Sequence, residues 1–362
     1  MAGYTILDSV ALKNIASPMV FEKFVQDILH VNGKGVDERY VLGSGLGAQS
    51  IAIPKVDLGA GDFRQLGATV NGGQFNGLDT VISTSDYIYV PLNYVYDRTE
   101  TLARIMNDKA GYDLLAAKTE NIRRKITRGI NALTFAVQIA RALNDSAAAT
   151  APLYVEETAG GTMYDSYIDA NSLLGDGDEA IGADYFPTEM RQAFFRPSAL
   201  GQMKKDKSVI LDSNLGQQML ATGVLNPFKS DEGSKVELRN GYSGEIDGVP
   251  VYTVSPILLK LAARYCQINS VTLADDAFED IDALVCSAVG TLRGFTSMAE
   301  IEVVPALQGQ GWVLQPLVHG GCVCISGKSV RLIVKNGFTN PVVGTATTEV
   351  ISILAPESQP QG

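Results

Sequence analysis

The chain has 362 residues, 46% of them hydrophobic and only 19% charged; 29 basic and 40 acidic side chains leave a formal charge of −11. High hydrophobicity with sparse charge excludes a disordered chain, and no run of about 18 apolar residues exists that could span a membrane as a helix. The acidic balance argues against a protein whose main task is gripping phosphate backbones, because that grip comes from Lys and Arg.

The length suits one large domain or two to three smaller ones. Residues Met1 to Lys13 show no basic segment followed by an apolar core and a small-residue cleavage site, so the expectation is a reduced, cytoplasmic product. From Asn14 to His30 the apolar positions Ile15, Met19, Val20, Phe24 and Ile28 recur at helical spacing. Gly33, Gly35, Gly43, Gly45 and Gly47 then read as extended or looping chain. The run from Ile51 to Leu58 alternates apolar and polar residues, and so does Val81 to Val95. Between them lies the turn-rich stretch from Gly67 to Gly77, and the whole predicts a long two-stranded projection.

The period then changes. From Asp113 to Asn144 there is no proline and one glycine, Gly129, and Leu114, Ile122, Ile126, Ile130, Leu133, Val137 and Leu143 fall at helical spacing. This predicts one long helix, ended by the Ala-rich stretch from Asn144 to Pro152. It carries a basic cluster, Lys118, Arg123, Arg124, Lys125 and Arg128, readable as a solvated face, an intersubunit salt-bridge face or a nucleic-acid contact. Short helices are predicted around Tyr164 to Leu174, Pro197 to Asp206 and Asn214 to Thr222. Lys229 to Tyr242 reads as a polar loop, and Gly244 to Val254 as a turn leading into a strand. Leu284 to Leu292 reads as a buried strand or helix. Ile301 to Pro305, Val313 to Val318, Cys322 to Ile325 and Val330 to Val334 read as strands, and the residues from Pro356 onwards as a loose tail.

Motifs for chemistry are few. Gly43-Ser-Gly45-Leu-Gly47-Ala48 spells a near-dinucleotide fingerprint, but that motif needs a helix directly after it, and Gln49 to Leu58 contains Pro54 and alternates like a strand. Only two histidines exist, His30 and His319; the latter, followed by two glycines, reads as a turn residue and not as a base. Asp176, Asp178 and Glu179 lack the remaining positions of a calcium loop. The four cysteines sit in apolar surroundings and read as core residues. Cys322 and Cys324 would share one face of a strand, but no partner pair stands at zinc spacing. The expectation is therefore no catalytic residue, no cofactor and no metal.

The order of parts is an uneven N-terminal arm, a long hairpin with a glycine-rich tip, a long helix, a mixed α/β region and closing strands. That order resembles the major capsid protein of tailed bacteriophages, the Hong Kong 97-type shell fold. Asp165 to Asp176 is similar to the helix that opens the axial domain of such coats, and Phe195 to Lys205 to a short helix that follows one of its strands. Gly244 to Val251 resembles the family's turn-and-strand, Glu300 to Gly321 its late strands, and Ser329 to Val334 the return to the peripheral domain. The resemblance implies an α+β fold with an N-arm over residues 1–50 and an extended loop over 51–98. It puts a peripheral domain with a spine helix over 99–150 and 328–355, and an axial domain over 151–327.

By the same resemblance the function would be self-assembly, as hexamers and pentamers, into an icosahedral head shell in the virion. The shell would be assembled in the host cytoplasm and would enclose duplex DNA without sequence-specific binding. Scaffolding is expected as a separate protein or absent, with portal and decoration proteins as further partners and no membrane. No covalent Lys–Asn cross-link is implied, since Lys55 stands at the base of the hairpin and not at its tip. A two-stranded ribbon is marginal alone, and arm residues Phe21, Phe24 and Ile28 also need cover, so identical neighbours are expected to supply it. The intersubunit candidates are these three with Lys55, Phe63, Arg64, Phe75, Arg123, Arg124 and Arg128. The competing readings are an encapsulin-like nanocompartment, with a usually shorter chain, and a nucleotide-dependent oxidoreductase using Gly43 to Ala48.

Overall fold

A computed structural model of the chain describes residues 28–40, 50–54, 69–70, 73–74, 87–92, 94–96, 100–103, 114–149, 151–158, 160–177, 185–211, 242–268, 271–305, 311–341 and 352–353. The predicted helices over Asn214 to Thr222 and over the first part of Asn14 to His30, and the tips of the predicted projection, lie outside these residues. Residues 28–30 are described and are not helical.

The longest element is helix α1, Leu114–Ala148, whose 35 residues span about 50 Å at 1.5 Å each. Its first half is amphipathic: Ile122 and Ile126 are buried while Asn121, Arg124 and Arg128 are exposed. From Ile130 to Ala140 every residue is buried, so the helix enters the interior and is covered on all sides there. It ends four residues later than its sequence pattern predicts. The Ala-rich run carries it on, because Ala has the best helix propensity. Arg141 Nε donates to Asp145 Oδ2 at 2.9 Å, and Ser146 Oγ donates to the Ala142 carbonyl at 2.6 Å, which tie down the last turns.

Around α1 the strands form two principal sheets. Strands β1 (Asp37–Tyr40), β2 (Ser50–Pro54), β3 (Thr69–Val70), β4 (Gly73–Gln74), β5 (Tyr87–Pro91), β6 (Tyr94–Tyr96) and β7 (Glu100–Ala103) precede the helix. After it come β8 (Tyr154–Glu156), α2 (Met163–Ser172), β9 (Arg191–Phe195), α3 (Pro197–Leu211), β10 (Tyr242–Ile246), β11 (Val249–Thr253) and α4 (Pro256–Tyr265). The order closes with β12 (Cys266–Ile268), β13 (Val271–Thr272), β14 (Ile281–Ser287), β15 (Thr291–Pro305), β16 (Gly311–Cys324), β17 (Val330–Val334) and β18 (Ser352–Ile353). The fold class is α+β, as the sequence led us to expect.

The central sheet has the order β10-β11-β9-β14-β17-β8. Its inner strands β9, β14 and β17 are buried along their whole length because both faces are covered. Phe194, Leu284, Cys286, Leu332 and Val334 turn toward α1 and α4, while Ala193, Phe195, Ala283, Val285 and Ile333 pack with Met163, Tyr167, Leu200 and Met203 of α2 and α3. This two-residue alternation is the pleat itself. The β10–β11 connection is the pair Asp247-Gly248, with φ of 52° and 79°. Positive φ at both positions is the type I′ geometry that matches strand twist, so this stretch is a hairpin and not only a turn leading into a strand.

The second sheet has the order β1-β15-β16-β6, with β7 also on β16. Here the predicted short strands merge. β15 and β16 pair antiparallel from Thr291↔Cys324 to Pro305↔Trp312 with two register shifts. His319 consequently lies inside a strand, opposite Ser297 and Val95, and not in a turn. Gly320 and Gly321 do not end the strand because Phe295 and Gly294 pair with them across the ladder. Helix α4 was not anticipated from periodicity, although its start is conventional. Ser255 caps it by accepting from the Ile257 amide at 3.3 Å, and Pro256 opens its first turn. Helix α2 starts where it was predicted, with Thr162 Oγ1 accepting from the Asp165 amide at 3.1 Å.

Phe194 joins both layers, with ring centroids 4.8 Å from Phe135 and 5.9 Å from Tyr252. Phe194→Ala is expected to lower stability by about 3–5 kcal/mol in urea unfolding followed by circular dichroism, the range for removing a buried aromatic ring.

Candidate assembly site

Residues Ile28 to Val36 lie as a strap between α1 and β9. The strap is held by side-chain amides reading its backbone. Asn131 Oδ1 accepts from the Leu29 amide at 3.0 Å, and Gln192 Nε2 donates to the Leu29 carbonyl at 2.6 Å. Gln192 Oε1 accepts from the Val31 amide at 2.9 Å, and Gln138 Nε2 donates to the Gly35 carbonyl at 3.1 Å. His30 is fully buried; its Nε2 donates to Gln138 Oε1 at 2.9 Å, and its ring lies 4.6 Å and 4.5 Å from the ring centroids of Phe135 and Phe194. The strap folds on itself through a turn in which the Gly33 amide donates to the Val36 carbonyl at 2.8 Å, with Gly33 at φ 80°. At Gly35 a Cβ would come within 2.5 Å of Gln192 Oε1 and 3.2 Å of Cys286 Sγ, so a side chain there would displace the Gln192 amide.

The strap runs directly into β1, which pairs parallel with β15 so that Glu38 stands opposite Arg293. Arg293 is 1% exposed, and its Nε donates to Glu38 Oε2 at 2.8 Å, with Nη2 on the same oxygen. Its remaining donors reach Thr134 Oγ1 and the His30 carbonyl, each at 3.3 Å. A buried ion pair adds little net stability over an apolar pair, but it is costly to break. Here it sets register: a slip of β1 by one residue would turn Glu38 to the other face and leave the guanidinium uncompensated.

Three further surfaces stand out. Strands β2 and β5 form a two-stranded ribbon with Ile51 opposite Val90 and Ile53 opposite Ile88. Val90 and Leu92 anchor its root on Leu292, with Val323 and Ile325 alongside. On α1, Glu120 takes ion pairs from Arg123 and, at 2.8 Å, from Arg124. On the far side of the central sheet, Ile168, Leu173, Tyr185 and Met190 are exposed large apolar side chains. Nearby in sequence, the Arg191 guanidinium donates to the Phe186 carbonyl and to Asn171 at 2.8 Å.

Among the intersubunit candidates, Phe21, Phe24, Lys55, Phe63, Arg64 and Phe75 lie outside the described residues. Ile28, 2% exposed, is buried within its own chain, and Arg123 is buried against α1 and paired with Glu120. Arg124 and Arg128 are exposed on one side of α1. Asn131, Gln138, Gln192 and the Glu38–Arg293 pair carry no motif in the sequence. The one visible signal was an arginine inside the apolar run Thr291-Leu-Arg-Gly-Phe295, with a partner 255 positions away that no spacing rule reaches.

The segment after the glycine fingerprint is strand β2, not a helix. No group of three or more His, Cys, Asp or Glu side chains among them is placed to hold a metal, and no helix among them is long and apolar enough to cross a membrane. Cys266, Cys286, Cys322 and Cys324 are all free and buried. Burial pushes the Cys324 thiol up to about 11 and Cys322 up to about 12, and raises Cys266 and Cys286 further.

No protein-family model matches the chain. No curated protein matches it either. Among solved structures it is similar to a capsid protein of cyanophage P-SCSP1u, with 13% identity over 85% of this chain and 89% of that one at a TM-score of 0.48. It is likewise similar to a capsid protein of Helicobacter pylori bacteriophage KHP30, with 10% identity over 84% and 88% at a TM-score of 0.48. A third likeness is to the virus-like particle of Pyrococcus furiosus, with 7% identity over 88% and 98% at a TM-score of 0.45.

Glu38→Leu alone, which strands a buried guanidinium, is expected to cost about 3–5 kcal/mol in urea unfolding, and Glu38→Leu with Arg293→Met to recover most of that loss. The four thiols are expected to resist an aromatic disulfide reagent at mildly alkaline pH, because a thiolate forms in the native state only well above it, and to react fully after denaturation. Rapid labelling of the native protein would contradict their placement in the core.

Proposed function

We propose that the chain is the subunit of a self-assembling shell of the tailed-phage capsid type, structural and not catalytic. The observation that carries the reading is the β2–β5 ribbon. It is a two-stranded sheet that joins no larger sheet among the described residues, rooted on Leu292 at one end, with residues 55–86 still to come between its strands. A ribbon of two strands is not stable by its own contacts, and an identical neighbour is the partner always present at the required ratio. Apolar cover costs little to provide when each contact repeats around a closed symmetric assembly. The exposed cluster of Ile168, Leu173, Tyr185 and Met190 adds a second apolar surface that a neighbour can close.

In this reading residues 1–50 are the arm, 51–98 the extended loop, and α1 the spine of a peripheral unit. The axial unit starts near residue 151 and runs through Val334, past the boundary drawn from sequence, because β17 is an interior strand of the central sheet. Hexamers and pentamers of the chain would enclose duplex DNA held without base reading, and the formal charge of −11 keeps the wall only weakly attractive to it. Assembly in the host cytoplasm, and separate scaffolding, portal and decoration proteins, belong to the same proposal.

Sedimentation velocity and negative-stain microscopy of the purified chain are expected to show capsomers or closed particles; a monodisperse monomer at every concentration and ionic strength would overturn the reading. Deleting residues 67–77 is expected to abolish particles while the circular dichroism and melting temperature of the monomer stay close to wild type. Normal shells from that variant would remove the ribbon from the assembly mechanism.

A further inference from the structure

Helices α2 and α4 lie on opposite faces of the central sheet, and each carries a second face turned away from it. Met163, Tyr167 and Ala170 of α2 are buried with Phe195, Ala283 and Ile333, whereas Leu258, Leu259, Ala262 and Ala263 of α4 are buried with α1 and the alternate sheet residues Phe194, Leu284 and Leu332. On the outer side of α2, Asp165, Ile168, Asp169 and, just past its end, Leu173 fall at i, i+3, i+4 and i+8, and all are exposed. On the outer side of α4, Ile257, Lys260, Leu261 and Arg264 fall at i, i+3, i+4 and i+7. Ile257 is 67% exposed, Leu261 is half-buried, and Lys260 and Arg264 are exposed.

The two outer faces are opposite in charge. The acidic character of α2 continues into its neighbours. Tyr167 Oη donates to the Ile246 carbonyl at 3.2 Å, which sets the β10–β11 hairpin and its exposed Asp247 beside the helix. Burial, with the charges of Asp247 and Asp165, pushes the Tyr164 hydroxyl above its ordinary range. Arg191 Nη1 donates to Asn171 at 2.8 Å, which holds the turn bearing exposed Glu189 and Met190 to the end of α2. Residues 160–177, 185–190 and 242–249 contain no lysine or arginine, and Arg191 itself is buried with its donors on carbonyl oxygens. On α4, Arg264 Nε donates to Asp275 Oδ1 at 2.9 Å in an exposed ion pair, so the spare positive charge of that face is at Lys260.

We propose that the acidic, apolar face of α2 in one copy seats on the basic, apolar face of α4 in the next. Two α2 faces do not pair, because their carboxylates would stand against one another, and such a like-charge clash selects the α4 face instead. The two faces sit on opposite sides of one sheet, so the contact is head-to-tail: each copy offers one face and receives on the other, and a rotation that closes gives a ring. Ile168 and Leu173 are then covered by Ile257 and Leu261, and Asp169 meets Lys260. The inference rests on the shell reading and adds which two surfaces close a capsomer.

Charge reversal in the full-length chain tests it. Asp169→Lys and Lys260→Glu each set like charges against each other and are expected to give about tenfold fewer particles than wild type, while the two together in one chain restore the yield. Both positions are exposed on helices, so the melting temperature of the unassembled chain is expected to stay at the wild-type value. Single variants at wild-type yield, or a double variant no better than the singles, would overturn the α2–α4 contact and leave the shell reading standing; no particles or capsomers from wild type would overturn both. A second measurement reads the contact directly. Ile168→Cys with Ile257→Cys in one chain is treated after assembly with a short bismaleimide, and the products are separated under denaturing conditions. Within one chain the sheet stands between the two sites, so covalent ladders report contact between copies. Ladders from the pair, and from neither single variant, are expected. Dimers from Ile168→Cys alone would show two α2 faces meeting, and particles whose paired variant stays monomeric would equally overturn the proposal.

Discussion

A row of polar side chains along α1 is the constraint on which the rest of the structure depends. Thr119, Arg123, Thr127, Asn131, Thr134 and Gln138 follow one another at spacings of three and four, on one face of the helix, and all are buried. Burying polar groups without partners is costly, and from Asn131 to Gln138 the stripe is given hydrogen-bond partners. At Asn131, Thr134 and Gln138 the supplier is the strap, together with Arg293 and Thr291. The apolar face of the same helix meets the central sheet through Phe135, Ile139, Leu143 and their neighbours. One element thus organises the core on one side and holds the N-terminal segment on the other.

The polar junction explains why an acidic, sparsely charged chain places a full ion pair in its interior. Glu38 and Arg293 contribute little as a net source of stability, but they admit one alignment of β1 on β15. Register matters here because β15 and β16 also carry the ribbon root, through Leu292 and Val323. An error in seating the strap would propagate to the root of the element proposed to reach a neighbour.

The basic cluster has a quieter role than its density in sequence suggests. Glu120 balances Arg123 and Arg124 within the same turns, as helix neighbours three and four apart do. Arg124 and Arg128 remain on the exposed side, where any contact they make is open to salt.

Much of the fold was legible from local pattern. The long helix, the alternating runs of the ribbon, the place of α2 and the largely apolar strands around Val285 and Leu332 follow from periodicity, which involves residues a few positions apart. The resemblance to shell proteins came from the order of those parts. What the sequence could not disclose was which distant residues meet. Nothing in the spacing links Glu38 to Arg293, or Gln138 and Gln192 to the backbone of Leu29 and Gly35, because a side-chain amide binds any peptide group brought within reach and leaves no periodic trace. Local sequence determined the elements, since helix and strand geometry repeat along the chain; only the tertiary arrangement decided the strap's cleft, since it is made by contacts across more than a hundred residues.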